Sequence, residues 1–306
     1  MAVSANQLVE LIDERIGKFV NTLPELSQSA FKDIQGLLKQ LKLDSSGNIK
    51  ISVENLRLIN KIKSRVENSI LTDAYYQNIS DIKESFADIT TLQTDYFSKA
   101  FDAFDRPKVI AELQKVSINS TVESLSESAI NENVIGGVGE ILERNITSGS
   151  SFLDLNKQLT DFMVGSDKID PKLMSYSRQI MTDSLSQYTA NYQKVVTDDL
   201  GLKWYQYVGS LTANTSRPLC VALVEKRWVH ETEIGDASRG IVDGKNVGKE
   251  GMIPNTTKSN FQVFRGGYNC NHLLVPVAEE SVPKEVRISL YKKKNIEYDG
   301  KGLAVK

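Results

Sequence analysis

"VVTDDLGLKWYQYVGSL", Val195–Leu211, is where the text of this chain changes period. Up to Leu200 the apolar residues recur at helical spacing, and Gly201 supplies a helix stop. From Lys203 onward, aromatic and β-branched residues crowd into a strand-length run. Beyond Leu200 lie both tryptophans, both cysteines, both histidines and eleven of the nineteen glycines. The expected class is therefore α+β: a mainly helical N-terminal two thirds followed by a small α+β C-terminal domain.

Upstream, Leu8, Leu11, Ile12, Ile16, Phe19, Val20 and Leu23 form one stripe at the 3.6-residue period, predicting a helix over 4–23. Pro24 breaks it, and a second helix carries Leu26, Ala30, Ile34, Leu37, Leu38 and Leu41. "DSSGN" is a turn, and Ser52 caps a third helix through Ile70. A long helix is expected from Asp73 to Phe104, ending ahead of Pro107. Ser120 and Glu123 have capping-box spacing for a shorter helix. Others are expected from about Val138, over 152–164, and from Pro171 to Leu200.

Downstream, "KWYQYVGSL" and "KRWVHETEI" read as strands, and "NHLLVPV" as a short apolar strand that Pro276 places at an edge or end. The glycine-rich 235–260 stretch reads as a long loop with room for a short hairpin.

Composition limits the classes. The chain is 40% hydrophobic and 25% charged, as soluble globular proteins are. A net charge of −2 excludes a globally basic nucleic-acid binder. No apolar run approaches the ~20 residues of a membrane span. The N-terminus lacks the basic start and apolar core of a secretion signal, so synthesis in a reducing cytosol is expected.

All Cys and His fall within 220–272. Cys220, His230, Cys270 and His272 satisfy a zinc set by type, although zinc sites favour closer cysteine pairs than this spacing offers. The alternative is that both cysteines are small buried hydrophobes. A nucleophilic Cys–His pair is a third reading, and no helix N-terminus or oxyanion hole is marked for it. "IGGVGEIL" from Ile135 lacks the third glycine and the Lys-Ser/Thr of phosphate loops, and reads as a helix start or hinge. Asp198 and Asp199 read as surface charges. Lys292, Lys293 and Lys294 lie in a segment, 284–306, with seven basic and three acidic residues, and are candidate DNA contacts or a solvated run.

The order of these pieces resembles the C-terminal head-morphogenesis domain of tailed-phage minor head proteins of the phage Mu type. Trp204 stands at the strand aromatic. Arg217, Pro218 and Cys220 match the end of the first motif, and Gly267, Asn269, Cys270, His272 and Pro276 match the second. Asn214, Thr215 and Asn271 depart from the charged residues usual at their positions, so neutral hydrogen bonds would replace that network. The resemblance covers roughly 135–278. It implies a helical region over 1–133, a head-morphogenesis-like domain over 134–282 and a basic tail over 283–306. It implies a non-enzymatic virion protein near the portal vertex, contacting portal protein, major capsid or other head proteins, and in some cases packaged DNA, with self-association open and no membrane. It also implies that the two motifs meet in space, so that Cys220 lies near Cys270 or His272 and pins the small sheet by metal, by packing or by a late disulfide. A zinc-stabilised DNA-binding protein carried with the genome, and a toxin-like enzyme, are the rival classes.

Overall fold

The computed structural model describes residues 5–212 and 216–305. Asn214 and Thr215, where the first motif departs from the family pattern, lie outside the described residues. Helices dominate the first 200 residues: α1 (Ala5–Val20), α2 (Leu23–Leu38), α3 (Val53–Ile70), α4 (Asp73–Ala100), α5 (Val109–Ser124), α6 (Glu127–Ile130), α7 (Gly136–Ser148), α8 (Phe152–Met163) and α9 (Lys172–Leu200). Then follow β1 (Trp204–Val208), α10 (Pro218–Lys226), β2 (Trp228–His230), α11 (Ile234–Ala237), β3 (Ile241–Val242), β4 (Lys245–Asn246), α12 (Phe261–Phe264), β5 (Leu273–Val277) and α13 (Lys284–Lys294). The α+β class holds, with a helical N-terminal region and small antiparallel sheets in the C-terminal part.

The compact units do not follow chain order. One gathers the segment ending at Glu14 with 85–117 and 182–306, and the other comprises 15–84 and 118–181. The composition change near residue 200 is therefore not the place where the chain divides into compact bodies: the C-terminal parts of α4 and α9 group with the small sheet.

In the second unit Ser52 caps α3 as its sequence dictates, accepting from the Asn55 N–H at 3.2 Å. Asn55 is fully buried, donates to the Lys42 and Lys50 carbonyls at 3.0 and 2.8 Å, and accepts from the Lys42 N–H at 2.9 Å. Its amide replaces water for the 42–50 turn. Asn55→Ala is expected to strand those groups and cost about 3 kcal/mol, read as a lower urea midpoint.

One sequence expectation needs correction here. Ser120 and Glu123 lie inside α5, which starts earlier, at Val109; the cap belongs to Ser126, whose side chain accepts from the Ala129 N–H ahead of α6. The glycines of the 135–139 stretch do stand at a helix start, as expected: α7 opens at Gly136, directly after a π-helical turn at Asn131–Ile135. Gly137 is small because the Phe162 ring lies against it, so the stretch is a helix junction.

In the first unit β1 is the middle strand of an antiparallel sheet ordered β2-β1-β5. Trp204 pairs with His230 and Val277, and Val208 pairs with Leu273 at the far end. Pro276 sits on edge strand β5, where its missing N–H costs no ladder bond, as its sequence position suggested. One cluster joins Tyr205, Tyr207 and Leu274 to Leu219, Leu223, Val242 and Phe261. The other joins Trp204 and Val277 to Leu290 and Tyr291 of α13. The Trp204 indole donates to the Tyr291 hydroxyl at 2.9 Å, so the C-terminal segment is packed into the unit and is no loose tail.

Candidate metal centre

Pro218 opens α10 at its first position and holds Arg217 extended (φ −68°, ψ 149°). Arg217 makes no capping bond. Its guanidinium reaches across to donate to the Gly266 carbonyl and, at 2.7 Å, to the Tyr268 carbonyl. This contact ties the first motif to the second. Cys220 then sits in the first turn of α10. Sequence reading found no helix N-terminus beside a cysteine; Pro218 was the signal that one begins there.

The second motif turns sharply. Gly266 lies against both sulfurs, where a Cβ would overlap them, and Gly267 adopts φ +92° with its Cα face against the Gly251 carbonyl. Asn269 follows at φ +56°, its N–H donating to Asp183 of α9 at 2.7 Å. These bends bring Cys270 Sγ to 3.9 Å from Cys220 Sγ and 3.7 Å from His272 Nδ1. All three ligand atoms lie within 4.8 Å of one another, and all three residues are buried. A tetrahedron with metal–sulfur bonds near 2.3 Å and metal–nitrogen bonds near 2.0 Å has edges of about 3.8 Å between sulfurs and about 3.5 Å between sulfur and nitrogen. The two close separations match those edges to about 0.2 Å, so the group can hold a metal ion.

The shell is built from buried side chains. Tyr207 stacks on His272 at 5.6 Å between centroids and 17° between planes, and its hydroxyl donates to Cys220 Sγ at 3.5 Å. Arg265 is 1% exposed; its Nε donates to the His272 carbonyl, and its Nη1 to the Gln262 and Val263 carbonyls at 3.3 and 3.2 Å. The Cys220 hydrogen bond, then His272 and the Arg265 guanidinium, hold the Cys270 thiol well below its usual range against the effect of burial. Cys220 is raised, by its hydrogen bond with Cys270 first and by burial second. Of the pair, Cys270 ionises first. Burial raises the Asp183 carboxyl, and the Asn269 N–H partly offsets it.

His230 does not join. Its partner across the sheet is Trp204, whereas His272 immediately precedes the partner of Val208. The four steps of β1 between those rungs span about 13 Å. His230 packs edge-on against Trp204 at 4.9 Å, and its Nδ1 meets Thr232 Oγ1 at 3.0 Å. It caps the turn that follows β2. Burial lowers its pKa from 6.5 to about 4. The unfolded chain therefore binds an extra proton between those values, and the stability present above pH 6.5 falls as the pH drops toward 4. The expected loss is about 3 kcal/mol. Denaturant melts at pH 7 and pH 4 check it, and His230→Gln should flatten that slope.

Of the other expected residues, Arg217, Pro218, Gly267 and Asn269 gather around the centre, while Trp204 and Pro276 belong to the opposite end of the sheet. Lys292 and Lys293 are exposed, and Lys294 lies 3.9 Å from Asp236. Arg265, Tyr207 and Asp183 were not singled out from sequence. Arg265 could have been, as the basic residue leading "RGGYNCNH"; Asp183 comes from a helix 86 residues upstream of its partner and has no local signal. Comparison with protein-family models, with curated proteins and with solved structures finds no match to this chain.

Proposed function

We propose that this chain is a minor structural and assembly protein of a tailed-phage head, non-enzymatic, docking near the portal vertex against portal or capsid protein. The observation that carries the reading is the meeting of the two motifs: Arg217 grips the Gly266 and Tyr268 carbonyls while Cys220 reaches Cys270 across 50 residues of chain. That juxtaposition is what the resemblance to the phage Mu-type domain implies. Exposed Ile51, Val53 and Leu153 support docking. They flank one junction of the second unit, where the Ile49 and Phe152 N–H groups donate to the Ser150 and Gly47 carbonyls.

In this reading the centre holds zinc, through Cys220, Cys270 and His272. Zinc would supply a redox-inert cross-link between the start of α10 and the segment ahead of β5, stabilising the small domain. Two thiolates and an imidazole suit zinc better than a hard cation. A DNA-binding role draws on Lys292 and Lys293 alone, since Lys294 faces Asp236, and ranks below assembly.

Quantitative mass spectrometry of purified particles tests the role. A small fixed number of copies, retained after the DNA is released, is expected. Copies lost with the DNA would favour the genome-associated reading, and absence from particles would sink the structural role.

A further inference from the structure

The chain has two cysteines, and folding brings them together. Their sulfurs stand 3.9 Å apart in van der Waals contact, unbonded. Gly266 presses on both without a Cβ, so the backbone there does not wedge them apart. Closing a disulfide of about 2 Å requires each sulfur to move by about 1 Å. Both residues are buried, at 2% and 7% exposure, yet both line a cleft of about 320 Å³ together with Ser210, Arg217, Asn269 and His272. That cleft offers a small disulfide a side from which to approach the pair, and the burial of both residues disfavours pairing with a cysteine of a second chain. No other in-chain pairing exists.

We propose that Cys220 and Cys270 are a site of oxidative modification, forming an intramolecular disulfide that locks the first turn of α10 to the segment ahead of β5 and displaces the metal. The disulfide half stands on the geometry of the pair; the displacement half rests on the zinc reading above. The co-reactant is a low-molecular-weight disulfide. The Cys270 sulfur attacks one of its sulfurs, forming a mixed disulfide and releasing one small thiolate. The Cys220 sulfur then attacks the Cys270 side of that mixed disulfide and releases the second. Two cysteines are oxidised, one small disulfide is reduced to two thiols, and the cysteine protons end on the released thiolates. Of the two thiolate electron pairs, one becomes the new S–S bond and the other passes to the small disulfide, so the oxidised pair no longer offers an ion the two thiolates and the metal-free form is trapped.

The test uses the full chain, purified under reducing conditions, in metal-free and zinc-loaded forms, each incubated with oxidised glutathione. Intact mass, peptide mapping and a chromogenic zinc chelator are read together. The expected product is a monomer lighter by two hydrogen atoms, with the 220 and 270 peptides linked, and Cys270→Ser forms no such link. At zinc about ten times its dissociation constant the rate should fall about tenfold, because only the metal-free fraction reacts. Free thiols, glutathione adducts that never resolve, or cross-linked dimers from the metal-free chain would overturn the proposal. A link that forms in a chain unable to bind zinc would uphold the disulfide and remove the zinc reading instead.

Discussion

Cys270→Ser is expected to abolish zinc binding and to lower the melting temperature of the zinc-loaded chain by about 10 °C. The physical basis is linkage. Zinc binds the folded site and only weakly the separated ligands of the unfolded chain, so at a thousand times its dissociation constant it adds about 4 kcal/mol. For a unit of this size each kcal/mol moves the midpoint by about 2–4 °C. Cys270 is the stronger test than Cys220 because it touches both other ligands, at 3.9 and 3.7 Å. With a chelator present, the parent and the serine variant should melt within a few degrees of each other. A large difference that persists in chelator would mean that Cys270 stabilises by packing alone, the alternative its sequence always allowed.

Arg265→Leu is expected to cost about 4 kcal/mol, although it deletes a buried charge and adds an apolar side chain of suitable size. The guanidinium is 1% exposed and gathers three carbonyls, those of Gln262, Val263 and His272, around one planar fork. Hydrogen bonds from a charged donor are worth about 1.5–3 kcal/mol each, and carbonyls left buried without a donor add to the loss. Arg265→Lys keeps the charge but cannot span the three acceptors, so it should recover little. Because Arg265 holds the His272 backbone, both variants should also weaken zinc binding. Urea unfolding of the two variants decides it; a leucine variant within 1 kcal/mol of the parent would mean that water readily replaces the fork.

The sequence was most legible where periodicity acts locally. The stripes of α1 to α4, the Ser52 cap and the helix stop at Gly201, which adopts φ +62°, could be read because each rests on a few neighbouring residues. The candidate site was half legible. Chemistry by residue type picked out Cys220, Cys270 and His272, but it also admitted His230. Only the register of β1 with its two neighbours shows that the two histidines sit at opposite ends of a five-residue strand. Helix α10 has no legible period because nine residues are too few to show one, and its one signal is Pro218 at the first position. The shell around the sulfurs was least legible. Tyr207, Arg265 and Asp183 arrive from a strand, a loop and a long helix, and long-range packing leaves no spacing in the text. The same holds for the assembly of the first unit from separate stretches of chain, in which Tyr188 and Tyr192 of α9 bond Thr90 and Thr94 of α4 across 98 residues.

Joining of the two motif segments through a metal is the central feature of the proposed centre. Elemental analysis of the purified full chain, alongside its Cys270→Ser and His230→Gln variants, tests that most directly. One zinc per parent chain is expected, none in Cys270→Ser and one retained in His230→Gln. A parent chain that takes up no zinc, or a zinc that survives loss of Cys270 and disappears with His230, would contradict it.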